Sequence, residues 1–235
     1  MSGNTSAPLV SVITPVYNGE RYLREALASL FAQDYEPFEA IVVDDGSTDD
    51  TPAIAQQFPV RYVRQENRGA AAARNTGIEQ AQGDLVAWLD ADDIIVPSKL
   101  RLQATYLSEH PGVGCVLGRQ EIMLEGVEPP EWLQRDRLYG DLDGIPLVSA
   151  MLRRAVLEDL GGFDQSFGFA EDRDLFVRMR ERGVEIVVLP EVLVRRRFHG
   201  DNTNFTRRPP KHPILRSLKG KLDRERAAGG TGETG

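Results

Sequence analysis

Leu85 to Leu89 are five consecutive apolar residues, and the chain then runs straight into Asp90-Ala91-Asp92-Asp93. An unbroken apolar run of that length predicts a strand buried on both faces. Such a strand belongs in a largely parallel sheet between two layers of helices, the setting that leaves neither face to water. Clustered acids at its end predict a positively charged partner. Asp90 and Asp92 form an Asp-x-Asp pair whose oxygens suit one divalent cation, with Asp93 beside them. In open α/β sheets the ligand crevice lies outside the carboxyl ends of the strands, where this cluster falls. A turn also accounts for a lone Asp-x-Asp.

The residues before that point alternate in the same sense. Leu9 to Thr14 is rich in β-branched residues and stops at Pro15; Tyr22 to Leu30 has helical spacing, with Asn18 as candidate N-cap. Phe38 to Val43 reads as a strand, Thr48 to Phe58 as a helix capped by Thr48 or Asp49, Val60 to Val63 as a short strand, and Gly69 to Ala81 as an Ala-rich helix. The order βαβαβαβ predicts a parallel sheet with helices on both faces. Beyond it we expect helices at Ser98 to Glu109, Arg153 to Leu160 and Glu171 to Arg182. Strands are expected at Gly114 to Glu121, Glu185 to Leu189 and Val192 to Phe198, and a long variable loop at Val127 to Gly144.

A chain of 235 residues accommodates one sizeable domain, expected over 1–206, followed by a tail. The net charge of −8 argues against nucleic acid as the main partner. From Arg207 onward eight Lys/Arg face three Asp/Glu, so the body carries about −13 and the tail is basic. The tail, 207–235, ends in a Gly-rich stretch and is expected to be largely disordered; its cations are candidates for peripheral contact with anionic lipid, or simply solvated. Cys115 is the only cysteine and sits in an apolar run, which reads as a buried thiol in a reducing compartment. Met1 to Pro8 lacks the features of a secretion signal, and no stretch approaches 18 apolar residues. The expectation is a cytoplasmic protein, peripheral at most to the inner face of a membrane.

Four segments fall at the expected strand ends or opposite them. In Thr14-Pro15-Val16-Tyr17-Asn18-Gly19 an aromatic beside a helix start suits stacking on a base; taken alone, the segment reads more readily as an ordinary turn with a packed Tyr17. In Asp44-Asp45-Gly46-Ser47-Thr48-Asp49 an acid suits a ribose hydroxyl or a base N–H, and turn chemistry also explains it. In Asn67-Arg68-Gly69 and Ala73-Arg74-Asn75, Arg68 suits a phosphate or a base, whereas Arg74 also fits a solvated helix face. Asp90-Ala91-Asp92 is the fourth.

In this order the four segments resemble the nucleotide-diphospho-sugar glycosyltransferases of the GT-A fold, specifically the inverting family 2. The resemblance covers roughly residues 8–206 and is weak between 119 and 144. It implies a Rossmann-like three-layer α/β/α sandwich with a mainly parallel central sheet, with a nucleotide-sugar-binding half at 8–97 and an acceptor half at 98–206. It also implies nucleotide-sugar contacts from Pro15, Val16, Tyr17, Asp45, Arg68, Arg74, Asp90, Ala91 and Asp92. Gly161-Gly162-Phe163-Asp164 with Glu171-Asp172 resembles the acceptor-side segment, which makes Asp172 the expected catalytic base and Glu171 its neighbour. Without the resemblance, Glu171 and Asp172 read as acids favoured by a helix dipole. Arg195 to Asn202 resembles the closing strand and loop, where His199 joins Asp92 and Asp90 as a candidate ligand of Mn²⁺ or Mg²⁺.

The reaction implied is transfer of one sugar from a nucleotide diphosphate, UDP favoured, to the hydroxyl of a saccharide, lipid-linked or peptide acceptor. A cation would stabilise the leaving diphosphate, and one base with in-line attack gives inversion. The Gln-x-x-Arg-Trp segment of processive synthases is absent, so a single addition is expected. A non-catalytic nucleotide-sugar-binding protein would need the same pocket. A haloacid-dehalogenase-like phosphatase places Asp-x-Asp on the first strand rather than the fourth. A nicotinamide dehydrogenase needs Gly-x-Gly-x-x-Gly after the first strand, which Thr14 to Gly19 lacks.

Overall fold

The computed structural model describes residues 7–128, 146–167, 171–200 and Asn202. Most of the expected long loop and all of the basic tail lie outside the described residues. The first half of the sheet follows the expected alternation. Strands β1 (Val10–Val16), β2 (Phe38–Asp44), β3 (Arg61–Arg64) and β4 (Leu85–Trp88) lie in the order β3-β2-β1-β4, all parallel. Helices α1 (Leu23–Phe31), α2 (Thr51–Ala55) and α3 (Ala70–Gln80) connect them.

β4 is buried on both faces, as its composition requires. Leu85, Ala87 and Leu89 enter a core shared with α1 and α4 (Lys99–Glu109). Val86 and Trp88 enter a second core with α3, α5 (Arg154–Leu160) and α6 (Glu171–Glu181). Successive side chains of a strand point to opposite faces, so one apolar run feeds two cores and fixes the three-layer α/β/α arrangement. Close approach of α3 to the sheet depends on Gly77, where any Cβ would run into the Ile13 side chain.

The second half is a mixed sheet. Beyond β4 come β7 (Met151–Arg153), β6 (Val113–Glu125), β8 (Glu185–His199) and β5 (Ile94–Ile95). β7 runs antiparallel to both β4 and β6, β8 runs parallel to β6, and β5 runs antiparallel to β8. Sequence periodicity misses β5 and β7 because two or three residues carry no measurable alternation; β7 simply merges with the helix that follows it at Arg154. The two strands expected on either side of Pro190 are one. Leu117 pairs with Val188 and Arg119 with Val192, so three residues of β8 bulge opposite Gly118 alone. Pro190 sits inside that bulge, where no ladder N–H is required of it.

Candidate active site

Parallel pairing brings the carboxyl ends of β1, β2 and β4 to one edge, with Val16 beside Asp44 and Ile13 beside Trp88. The loops that leave β1 and β2 are laced together. Asn18 N donates to Ser47 Oγ (2.9 Å), Gly19 N to Thr51 Oγ1 (2.8 Å) and Glu20 N to Asp49 Oδ2 (3.0 Å). In return, Thr48 N donates to Asn18 Oδ1 (2.8 Å) and Asp50 N to Glu20 Oε2 (3.0 Å). Asn18 reaches this position at φ 51°, a left-handed conformation that asparagine tolerates better than most residues. It therefore does not cap α1. That helix starts after Tyr22, which makes no side-chain cap bond. The second helix likewise shrinks to α2, with Asp50 before it and Asp49 Oδ1 accepting from Thr51 N.

The two acids that end β2 face inward. Asp44 is fully buried; it accepts from Ser47 N (2.7 Å), the Tyr62 hydroxyl and Arg64 (3.2 Å). Burial and the adjacent Asp44 push the Tyr62 hydroxyl up to about 12. Asp45 Oδ1 accepts from Gln65 Nε2 (2.7 Å) and Arg68 N (2.9 Å), and its Oδ2 accepts from Gly69 N (2.7 Å). This carboxylate thus holds the loop that enters α3, and a base edge would have to share its remaining lone pairs. Tyr17 is 53% exposed rather than packed, and Pro15 beside it is partly exposed. The Arg68 side chain is also exposed, near Gln65 Oε1 (3.3 Å).

Arg74 does not occupy a solvated face. It is buried, donating to Glu171 Oε1 (2.6 Å) and Asp90 Oδ1 (3.5 Å), with its guanidinium 5.6 Å from the Phe163 ring centroid. Burial disfavours its charge, but Asp90, Glu171 and Asp172 outweigh that and raise its pKa. The next residue, Asn75, grips the Phe163 backbone twice, Nδ2 to O and N to Oδ1, both at 2.8 Å. Gly162 makes room for this clamp. It adopts φ +72°, and a Cβ there would stand 2.6 Å from Asn75 Oδ1. One turn of α3 therefore connects the acid after β4 to the segments leading into α6.

At the turn after β4 the acids separate. Asp93 is buried and accepts from Arg197 N (2.8 Å), and burial together with Asp92 and Asp90 pushes its carboxyl well above the usual range. Asp92 is partly open, its side chain 31% exposed. His199 Nε2 lies 3.2 Å from Asp92 Oδ2, and Asn202 Nδ2 donates to the same oxygen (2.8 Å). Burial and then the Asp90 charge raise the Asp92 pKa, while His199 lowers it. Among the described residues no three His, Cys, Asp or Glu side chains already converge as a metal cluster. Asp92 and His199 meet, whereas Asp90 faces Arg74. This donor set of carboxylate oxygen and imidazole nitrogen, with excess negative charge, nevertheless suits Mn²⁺ or Mg²⁺. Asp172, in the first turn of α6, has Oδ1 on Arg173 N (2.8 Å) and shares the Arg74 charge with Glu171.

Several residues of the site carried no signal of their own in the sequence. Tyr22 reads as one more apolar position of α1. In the structure its ring lies 4.6 Å from His199 and 4.8 Å from the Arg197 guanidinium. Glu125 accepts from Arg197, Arg21 and Tyr22. Asn202 could be suspected only from its nearness to His199.

A Rossmann-like α/β sheet with laced loops on one side of its crevice and an acid pair after β4 defines a GT-A-type glycosyltransferase. The Glycosyl transferase family 2 model matches residues 11–161, and the chain belongs to that family. An uncharacterised glycosyltransferase of Rickettsia prowazekii is 33% identical over 222 residues, covering 88% of this chain and 69% of the relative. The putative teichuronic acid biosynthesis glycosyltransferase TuaG of Bacillus subtilis is 45% identical over 109 residues, 43% of each chain. Among solved structures, S. aureus TarS 1-349 in complex with UDP-GlcNAc superposes with a TM-score of 0.73 at 25% identity, over 89% of this chain and 64% of that one. The mannosyltransferase PcManGT from Pyrobaculum calidifontis, in complex with GDP-Man and Mn²⁺, gives 0.67 at 26% identity, over 98% and 66%. The chain thus spans about two thirds of these longer proteins or less. None of its described helices is long and apolar enough to cross a membrane.

Proposed function

We propose that the chain is a metal-dependent, non-processive inverting glycosyltransferase that moves one sugar from a nucleotide diphosphate, UDP favoured, to an acceptor hydroxyl. The observation that carries this reading is the Arg74 bridge. One buried guanidinium contacts both Asp90, on the donor side, and Glu171, beside the expected base Asp172. The residues that this reading assigns to donor and acceptor are therefore close together, which supports a single displacement. UDP and UDP-GlcNAc in TarS, and GDP-Man with Mn²⁺ in PcManGT, support a nucleotide-sugar donor and a divalent cation.

In this mechanism Tyr17 and Pro15 lie along the base, Val16 and Ala91 form the adjoining backbone wall, and Arg68 approaches the base or the phosphates. Asp45 keeps the Arg68 amide in place while offering an acceptor to the base edge. Asp92, with His199 and support from Asp90, would hold Mn²⁺ or Mg²⁺. When bound, the cation supplies Lewis-acid stabilisation of the leaving diphosphate. Asp172 takes the proton of the acceptor hydroxyl as that oxygen attacks opposite the leaving group. Arg74 neutralises Glu171 and holds its carboxylate aside, so that Asp172 alone faces the acceptor. One base, with in-line attack, gives inversion.

A panel of nucleotide sugars with Mn²⁺, read by thermal stabilisation and by release of nucleoside diphosphate, tests the proposal. Stabilisation with slow metal-dependent release is expected for one donor. Binding without any release, even with saccharide and lipid-linked acceptors supplied, would reduce the chain to a nucleotide-sugar-binding protein.

A further inference from the structure

We propose that Arg197, with Tyr22 against its guanidinium, is a positioning residue for the separation between Asp92 and His199, acting beside the Asn202 amide that links Asp92 Oδ2 to the His199 backbone; the proposal rests on the metal-dependent reading above. These two side chains come from different elements, the turn after β4 and the last residue of β8, so something must fix one against the other. The two-residue ladder of β5 on β8, Ile94 with Arg195 and Ile95 with Val194, is too short to do so alone. Continued past its end, that antiparallel register sets Asp92 opposite Arg197, and Arg197 extends the connection there by other means. Its backbone N donates to Asp93 Oδ1 (2.8 Å), and its Nε donates to the Asp92 carbonyl (3.0 Å). Both ends of the Asp92-Asp93 unit are thus held by one residue.

The same guanidinium also reaches outward. Nη1 donates to Glu125 Oε2 (2.9 Å) at the end of β6, and Nη2 donates to Glu25 on α1. Arg197 and His199 are two apart on β8 and so share a face. That is why a single ring, Tyr22, meets the guanidinium at 4.8 Å and the imidazole at 4.6 Å. The Tyr22 hydroxyl bonds to Glu125 Oε1 (3.2 Å), which ties the ring to the other end of the fork. Four elements thus meet at one planar cation. Only a fork can donate simultaneously to a carbonyl and two carboxylates in fixed directions; a lysine has the charge without the geometry. No catalytic contact is assigned to Arg197. It acts through Asp92 and His199.

The test compares Arg197→Met, Arg197→Lys and Tyr22→Leu with the wild type, using the full chain. Two quantities are read: the Mn²⁺ dissociation constant by electron paramagnetic resonance titration, and the Asp92 Oδ2 to His199 Nε2 distance in metal-free crystals. Arg197→Met is expected to weaken Mn²⁺ binding at least tenfold and to open the 3.2 Å contact beyond 4 Å. Arg197→Lys should recover part of the affinity, and Tyr22→Leu should lose about threefold. UDP affinity without metal should stay within twofold, which separates a positioning role from general damage. Arg197→Met that stays folded, binds Mn²⁺ within twofold of wild type and keeps the contact overturns the proposal. A wild type that binds no Mn²⁺ defeats the metal reading instead, and the crystal distance then decides the positioning role by itself.

Discussion

Lys99→Met should make the protein more stable, and the amount follows from where Lys99 lies. The side chain is fully buried on α4, and its Nζ has one long contact, 3.4 Å from the Ala150 carbonyl. Burial lowers its pKa to about 7 from 10.5. Between those values the unfolded chain holds a proton that the folded chain lacks, so stability rises with pH across the window and the folding penalty is full below it. At one pKa unit per 1.4 kcal/mol, half-protonation at pH 7 leaves a penalty of about 4 kcal/mol. Methionine keeps the length of the stem and removes the charge. It also forfeits a hydrogen bond worth about 1 kcal/mol. The net gain at pH 7 is about 3 kcal/mol, or roughly 6–12 °C in Tm for a chain of this size. Cys115 limits the usable range. Burial raises its thiol, so above about pH 9 the unfolded chain ionises first and this loss cancels the further gain from Lys99. Urea unfolding followed by far-UV circular dichroism at pH 7.0, 7.75 and 8.5 is the assay. Wild type should gain stability at about 1 kcal/mol per pH unit, while Lys99→Met stays flat. Parallel pH profiles for the two proteins would refute the argument.

The remaining predictions concern the site and its supports. Asp172→Asn should reduce transfer by at least a thousandfold while nucleotide affinity, read by calorimetry, changes little; lost binding would mean that the base is elsewhere. Asp92→Ala should abolish the Mn²⁺ dependence of donor binding in titrations, and an unchanged Mn²⁺ response would remove it from the ligand set. Asn75→Ala leaves the Phe163 amide and carbonyl without their side-chain partners, at a cost of about 2–4 kcal/mol in chemical denaturation, with the start of α6 loosening before the sheet. Arg74→Met strands the Glu171 charge and should destabilise by about 3–5 kcal/mol in urea unfolding at pH 7; a midpoint equal to that of the wild type would refute it.

What could be read from the sequence, and what could not, divides along physical lines. The β1 to β4 half was legible because β1, β2 and β4 are largely buried and α1 shows an apolar period, while the edge strand β3 and the short α2 fall between them in the alternation. The apolar run before Asp90 needed only the alternation rule to be assigned to two cores. β7 was hidden because three apolar residues next to a helix match either template. β8 was cut in two because a proline normally ends a strand, and only the pairing with β6 reveals the bulge that accommodates Pro190. Asn18 was misread as a cap for a related reason: its side chain does accept a backbone N–H, but from Thr48 in another loop. Local sequence identifies an acceptor; it does not say which strand end brings the donor.

The acids make the same point about function. Asp44, Asp45, Asp90, Asp92, Asp93, Glu171 and Asp172 all stand at element ends, and by residue type each is equally fit for a cation, a base edge or a proton. Hydrogen bonding separates them. Asp44 and Asp93 are buried with their oxygens committed to backbone amides and neighbouring side chains, and Asp45 holds three N–H groups of its own chain. Asp90 and Glu171 share Arg74, so their charges are partly offset. Among the described residues Asp92 is countered by a histidine and an asparagine amide, and Asp172 by its own helix start and the Arg74 charge. The two acids with the least internal compensation are those that the proposed reaction assigns to the cation and to the proton. Committing the other acids to internal partners lets a dense acidic motif link two loops and leaves Asp92 and Asp172 as the acids proposed for the cation and the proton.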